Sequence, residues 1–138
     1  MIVLADTGAV YALLDRDDSW HGRVTAYWEH HAGDIRLPEP MLAEVCSLLG
    51  ARLGGRAENA FVRAIVDGEF RLEQFLAEED APRAADLMQT YRDAPIGFVD
   101  AAIVATAERT GCGELLTTDR RHFPLIRPRH FPALVLVP

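Results

Sequence analysis

The 138 residues predict an α/β fold, a three-layer α/β/α sandwich around a mostly parallel five-stranded sheet. Three observations lead there. Short apolar runs alternate with segments of helical periodicity. The run Ile2–Ala5 shows no polar alternation, as expected of a strand covered on both faces. The segment Phe98–Arg109 is apolar nearly all round, which marks a central, buried helix.

In chain order, the strand Ile2–Ala5 stops on Asp6, a residue type suited to cap the helix expected over Ala9–Leu14. Trp20, Val24, Tyr27, Trp28 and His31 then share one helical face. A second strand is expected at Ile35–Leu37. Two helical stripes follow, Met41, Val45, Leu48 and Leu49, then Phe61, Ile65 and Val66. Phe70–Phe75 reads as the third strand. Asp80–Tyr91 reads as a helix with Ala84, Leu87, Met88 and Tyr91 aligned. Phe98–Arg109 ends at Gly111, a C-terminal stop signal. Glu114–Thr118 and Leu134–Val137 supply the last two strands. With no repeat, low-complexity tract or long linker, residues 1–138 are expected to form a single domain.

Composition narrows the chemistry. The formal charge of −7 counts against a general nucleic-acid binder, which usually carries basic excess. There is no lysine: all 14 basic residues are arginine, so lysine-dependent chemistry, the P-loop included, is excluded. No apolar run has the length of a membrane span, and Ile2–Ala5 is too short for a signal core. A cytoplasmic location with no membrane partner is the expectation. Cys46 and Cys112 are expected as reduced thiols.

Four acids stand where apolar side chains are expected. Asp6 ends the first strand and Asp119 ends the Glu114–Thr118 strand. Glu44 borders the Met41–Leu48 stripe early in its helix. Asp100 shares a face with Ile103, Val104 and Ala107. Ligands of such sheets bind outside the carboxyl ends of the strands, and all four acids map to that edge. Each alone has a plain structural reading as a cap or a dipole partner. Together they repel one another unless a cation compensates, and with no lysine available a divalent ion does this best. Hard oxygen donors select Mg²⁺ or Mn²⁺. Thr7 and Thr118 are candidates to orient the carboxylates through hydrogen bonds. Such a site suits phosphoryl chemistry, where the ion activates water and steadies the leaving oxygen. WEHH is not an HExxH zinc motif, and there is no GxSxG elbow or GxGxxG loop.

Asp6-Thr7 after the first strand, Glu44 in AEV, Asp100 in FVDAAIVATA and Asp119 in LLTTDRRHF together resemble the PIN-domain family. The Arg-His-Phe after Asp119 and the final short strand resemble the toxin half of a VapBC-type toxin–antitoxin pair. The likeness spans essentially the whole chain. It implies a PIN-like sandwich and a Mg²⁺- or Mn²⁺-dependent endoribonuclease, commonly a homodimer, silenced by a cognate VapB-type antitoxin whose tail occupies the acidic pocket. Carried over residue by residue, the metal-binding and catalytic set is Asp6, Glu44, Asp100 and Asp119. Where some relatives have a further acid shortly after the fourth, this chain has Arg121 and His122.

RNA needs only a local basic rim. Arg120, Arg121, Arg127 and Arg129, with His122 and His130, offer one beyond Asp119; Arg52 and Arg56 beyond Glu44 offer another. Two alternatives are an aspartyl-phosphate receiver or phosphatase, and a non-catalytic PIN-like module whose acidic pocket receives a partner's arginine. The first normally needs a lysine, and its Asp-x-Asp motif fails at Gly8.

Overall fold

A computed structural model describes residues 1–138. Five strands, β1 (Val3–Ala5), β2 (Ile35–Pro38), β3 (Leu72–Glu73), β4 (Glu114–Leu116) and β5 (Val135–Val137), form one sheet in the order β3-β2-β1-β4-β5. Every pairing is parallel, with Val3 opposite Ile35 and Ala5 opposite Leu116. The helices are α1 (Thr7–Leu14), α2 (His21–His31), α3 (Leu42–Arg52), α4 (Gly55–Val66), α5 (Ala77–Thr90) and α6 (Phe98–Thr110). Short 3₁₀ turns at Glu39–Met41 and Phe123–Leu125 were not expected from the pattern. Each places a proline early in its turn, where the missing N–H costs nothing.

Two cores flank the sheet, giving the three expected layers. Val3, Ala5 and Leu116 face α1–α4, with Val10, Val24, Val45, Leu49 and Phe61. Leu4 and Leu115, one residue out of phase, face α5 and α6, with Ala84, Leu87, Ile103 and Val104. Residues Ala101–Ala107 of α6 are buried without a break, so the all-round apolar pattern is that of a central helix. Gly111 ends it with φ of +72°, a conformation a Cβ would oppose. Two residues of the expected stripes point elsewhere: Met88 is 37% exposed and Val66 69% exposed, because α5 and α4 bury narrower faces than their apolar spacing suggests.

Ionic contacts fasten α5 to α6. Arg83 grips Glu108 with two bonds of 2.7 and 3.0 Å. Arg109 holds the buried Asp80 at 2.9 and 3.1 Å. Both cysteines are free thiols. No helix is long and apolar enough to cross a membrane.

The strand order reverses between β1 and β4. Beyond the carboxyl ends of these two strands lies the crevice where ligands of doubly wound sheets bind.

Candidate metal centre at the carboxyl edge

Asp6 is the first residue past β1 and caps α1, accepting a hydrogen bond from the Ala9 N–H at 2.8 Å. Its other oxygen accepts from the hydroxyl of Thr117, the first residue past β4. Because Ala5 pairs with Leu116, this bond joins the two strands at the topological switch point. Asp6 is only 6% exposed. Burial, opposed in part by these two hydrogen bonds and reinforced by the charges of Asp119 and Asp100, lifts its pKa from 3.8 to about 6.

Asp100 occupies the first turn of α6 and is half-buried. Burial raises its proton affinity, and the negative charges of Asp119 and Glu44 raise it further. Glu44 lies in the first turn of α3 and accepts a 2.7 Å hydrogen bond from the Thr7 hydroxyl. The four acids therefore come from four segments into one field of mutual repulsion. Asp6, Glu44 and Asp100 form no ion pair; the only one in the group is Asp119 with His122, at 2.8 Å.

Asp119 is set differently. One oxygen accepts from the backbone N–H groups of Arg121 and His122, the other meets the His122 ring. Burial raises its pKa, but those amides and the imidazole outweigh it, and the net shift is downward. Its own N–H donates to Thr117 Oγ1 at 2.8 Å, so Thr117 ties Asp119 to Asp6.

Thr7 thus contacts an acid, as expected, whereas the hydroxyl beneath Asp6 belongs to Thr117 and not to Thr118. Thr118 Oγ1 lies over Gly8, where an added Cβ would stand only 2.5 Å from it. That close approach requires glycine at position 8 and leaves no room for the second aspartate of an Asp-x-Asp phosphatase. Thr117 was detectable in principle. Strand alternation puts it on the face of Leu115, and only the β1–β4 register was missing.

Of the expected basic rim, Arg120 and Arg121 follow Asp119 directly and are exposed. Arg52 is not brought to the acids. It sits in the last turn of α3, eight residues or ~12 Å of helix from Glu44, with its guanidinium 4.9 Å from the Tyr11 ring.

The donor set is all carboxylate and hydroxyl oxygen, and its most buried member lacks a cationic partner, which fits Mg²⁺ or Mn²⁺ in kind. No three acid, imidazole or thiol side chains already close round a single point. The reason is visible in their partners: Glu44 leans on Thr7, and Asp119 on its own loop. A hollow of about 300 Å³ lined by Thr7, Glu44, Ser47 and Leu48 opens beside them.

The PIN domain profile matches residues 3–127. Ribonuclease VapC26 of Mycobacterium tuberculosis is 33% identical over 126 residues, spanning 91% of this chain and 93% of that protein. Several solved structures share the fold, two of them as follows. The Mycobacterium tuberculosis toxin VapC20, which cleaves the sarcin–ricin loop, aligns with a TM-score of 0.78 at 23% identity, over 87% of this chain and 92% of its own. VapBC2 of Rickettsia felis, bound to a fragment of its promoter DNA, aligns with a TM-score of 0.73 at 18% identity, over 99% and 97%. A parallel sheet of this order, acids gathered at its switch point and a profile match over nearly the whole length have one reading: this chain belongs to the PIN-domain family, in its VapC group.

Proposed function

We propose that the chain is a divalent-metal-dependent endoribonuclease, the toxin of a type II toxin–antitoxin pair, with Asp6, Glu44, Asp100 and Asp119 as its metal-binding and catalytic carboxylates. The observation that carries this is the uncompensated charge at the switch point. Asp6 and Asp100 are buried or half-buried acids whose proton affinities rise through burial and through the charges of neighbouring acids, with no arginine bound to either. The 33% identity to a ribonuclease supports the substrate class.

Asp6 and Asp100 would hold the ion, with Glu44 and Asp119 at its flanks; bound there, Mg²⁺ or Mn²⁺ supplies Lewis-acid activation of the phosphodiester and of the attacking water. The protein's own groups do the positioning. Thr117 and the Ala9 N–H fix Asp6, so its carboxylate needs no reorganisation when a ligand arrives. Thr7 holds Glu44 toward the hollow beside Ser47 and Leu48. The N-termini of α1, α3 and α6 carry Asp6, Glu44 and Asp100, and their positive dipole ends favour a phosphate at the same edge. Asp119, bound to two amides of its own loop, keeps Arg120 and Arg121 beside the acids.

A cognate VapB-type antitoxin and a homodimeric state belong to the same reading, supported by the fold shared with a VapBC assembly. The test is cleavage of structured and unpaired RNAs with Mn²⁺ or Mg²⁺. Asp100→Asn is expected to lower the rate at least about 100-fold, the scale of losing an electrostatic catalytic group. Cleavage that survives both Asp100→Asn and excess chelator would remove the proposal.

A further inference from the structure

We propose that Trp20, Arg23 and Arg120 form a clamp for the phosphate backbone of unpaired RNA at the flank of the acidic site; this rests on the ribonuclease reading. The Arg23 guanidinium lies 3.7 Å from the Trp20 ring centroid and the Arg120 guanidinium 5.3 Å. Arg23 and Arg120 are 97 positions apart in sequence (120 minus 23), so only the fold brings them to one indole.

Several features point to an anionic ligand. Arg23 and Arg120 are exposed, and neither forms an ion pair with an aspartate or glutamate side chain. The only hydrogen bond from the Arg120 side chain goes to the main-chain oxygen of Pro138, the last residue, at 2.8 Å, which leaves most of its donors unused. Two like charges at one ring repel each other, and oxyanions bound to their forks reduce that cost. Contact with the indole restricts both side chains, so less of their freedom is lost when phosphate binds.

Position supplies the rest. Arg120 follows Asp119 directly, and its bond to Pro138 pins it beyond the carboxyl end of β5. The Trp20 main-chain N–H donates to the Asp18 carboxylate at 2.8 Å, and its indole packs on the core beneath α1 and α2. The clamp therefore flanks the acids on the β4–β5 side, whereas the hollow at Glu44 and Ser47 lies on the α3 side. A chain of net charge −7 repels RNA at long range. A local pair of arginines gives the strand a cationic hold outside the acid cluster, so that binding does not depend on the ion alone.

The test pairs binding with turnover. Labelled unpaired RNA is titrated into the Asp100→Asn protein, which leaves it uncut, from 50 to 300 mM KCl; KM and kcat are measured in the otherwise unsubstituted enzyme. Arg23→Ala and Arg120→Ala are each expected to weaken binding by about 3- to 10-fold and to lower the slope of log affinity against log salt by about 0.7, the value for one lost single-strand phosphate contact. The loss appears in KM more than in kcat. Trp20→Leu follows the arginine variants, and Trp20→Phe, which keeps a ring, restores most of the affinity. Arg63→Ala, an exposed arginine on α4, controls for loss of one positive charge and leaves affinity unchanged. Melting temperatures verify that every variant is folded. Unchanged affinity and salt slope in both arginine variants, with RNA still cleaved by the unsubstituted protein, overturn the clamp and leave the ribonuclease reading intact. Absence of any RNA cleavage by the unsubstituted protein with Mn²⁺ overturns that reading, and the clamp with it.

Discussion

The two ends of α6 carry acids of similar burial wired in opposite ways. In its last turn, Glu108 is bound by Arg83, and the neighbouring Arg109 binds Asp80, a carboxylate only 1% exposed. In its first turn, about 12 Å away along the axis, Asp100 joins Asp6, 6% exposed, and neither is paired with a base. Size does not separate the two regions: a hollow of about 340 Å³ adjoins the α5–α6 clasp, against about 300 Å³ beside Glu44. Compensation does. The clasp is electrically closed and holds two helices together, whereas Asp6 and Asp100 at the carboxyl edge have no ion-pair partner. Finding which buried carboxylates lack a partner is thus more informative than finding the largest cavity.

The largest effect is expected from Arg109→Ala. It leaves Asp80 buried with one backbone donor, the Leu76 N–H, and a destabilisation of about 3–5 kcal/mol is expected in urea unfolding at pH 7.5. A cost near zero would show the clasp is not closed.

The opposite sign is expected at the other end. The Asp6 pKa of about 6 lies above its ordinary 3.8, so the folded protein keeps that proton over a window where the unfolded chain has lost it. Stability therefore falls as pH rises from about 4 through 6, at up to ~1.4 kcal/mol per unit. Asp6→Asn keeps a capping oxygen and removes the charge. In metal-free buffer at pH 8 it is expected to stabilise the protein by about 1–3 kcal/mol, with the difference vanishing below pH ~4. A variant that is less stable at pH 8 would contradict the reading.

Adding Mn²⁺ tests the same acids. At about 100-fold over its dissociation constant the ion is expected to stabilise the unsubstituted protein by ~2.7 kcal/mol, seen as a rise of several degrees in Tm. Asp6→Asn should show little of that rise. Equal responses would separate the ion from Asp6.

The smallest effect is expected at Arg83. Burial raises the Glu108 pKa, but the Arg83 fork and the Arg129 N–H outweigh it and hold it low. Its stabilisation is therefore complete above about 4.5 and is lost as pH falls through the folded value. Arg83→Ala should cost about 1–2 kcal/mol at pH 7, and less on acidification below pH ~4. A cost that does not shrink there would assign it to packing of the arginine stem.

Much of this was legible beforehand. All five strands lie within or at the expected runs, and α6 is the buried helix that its unbroken apolar pattern implied. Asp6 and Asp100 stood out because an acid in an apolar run is a local anomaly. Thr117 was missed in favour of its neighbour, since choosing between adjacent threonines needs the register of β4 against β1. Arg52 lies about two turns of helix beyond Glu44, and only the fold shows that its guanidinium meets the Tyr11 ring. The α5–α6 clasp and the arginine pair on Trp20 left no mark in the pattern, because charged residues on a helix look alike until a partner is beside them.

The α/β layering and the edge at which the acids lie were set by the amino-acid order, because hydrophobic period and residue chemistry are local properties. Tertiary structure alone decided which hydroxyl supports Asp6, which carboxylates are neutralised by arginine and which arginines share an indole. Those outcomes depend on distances between segments tens of residues apart, and packing sets such distances while local preference does not.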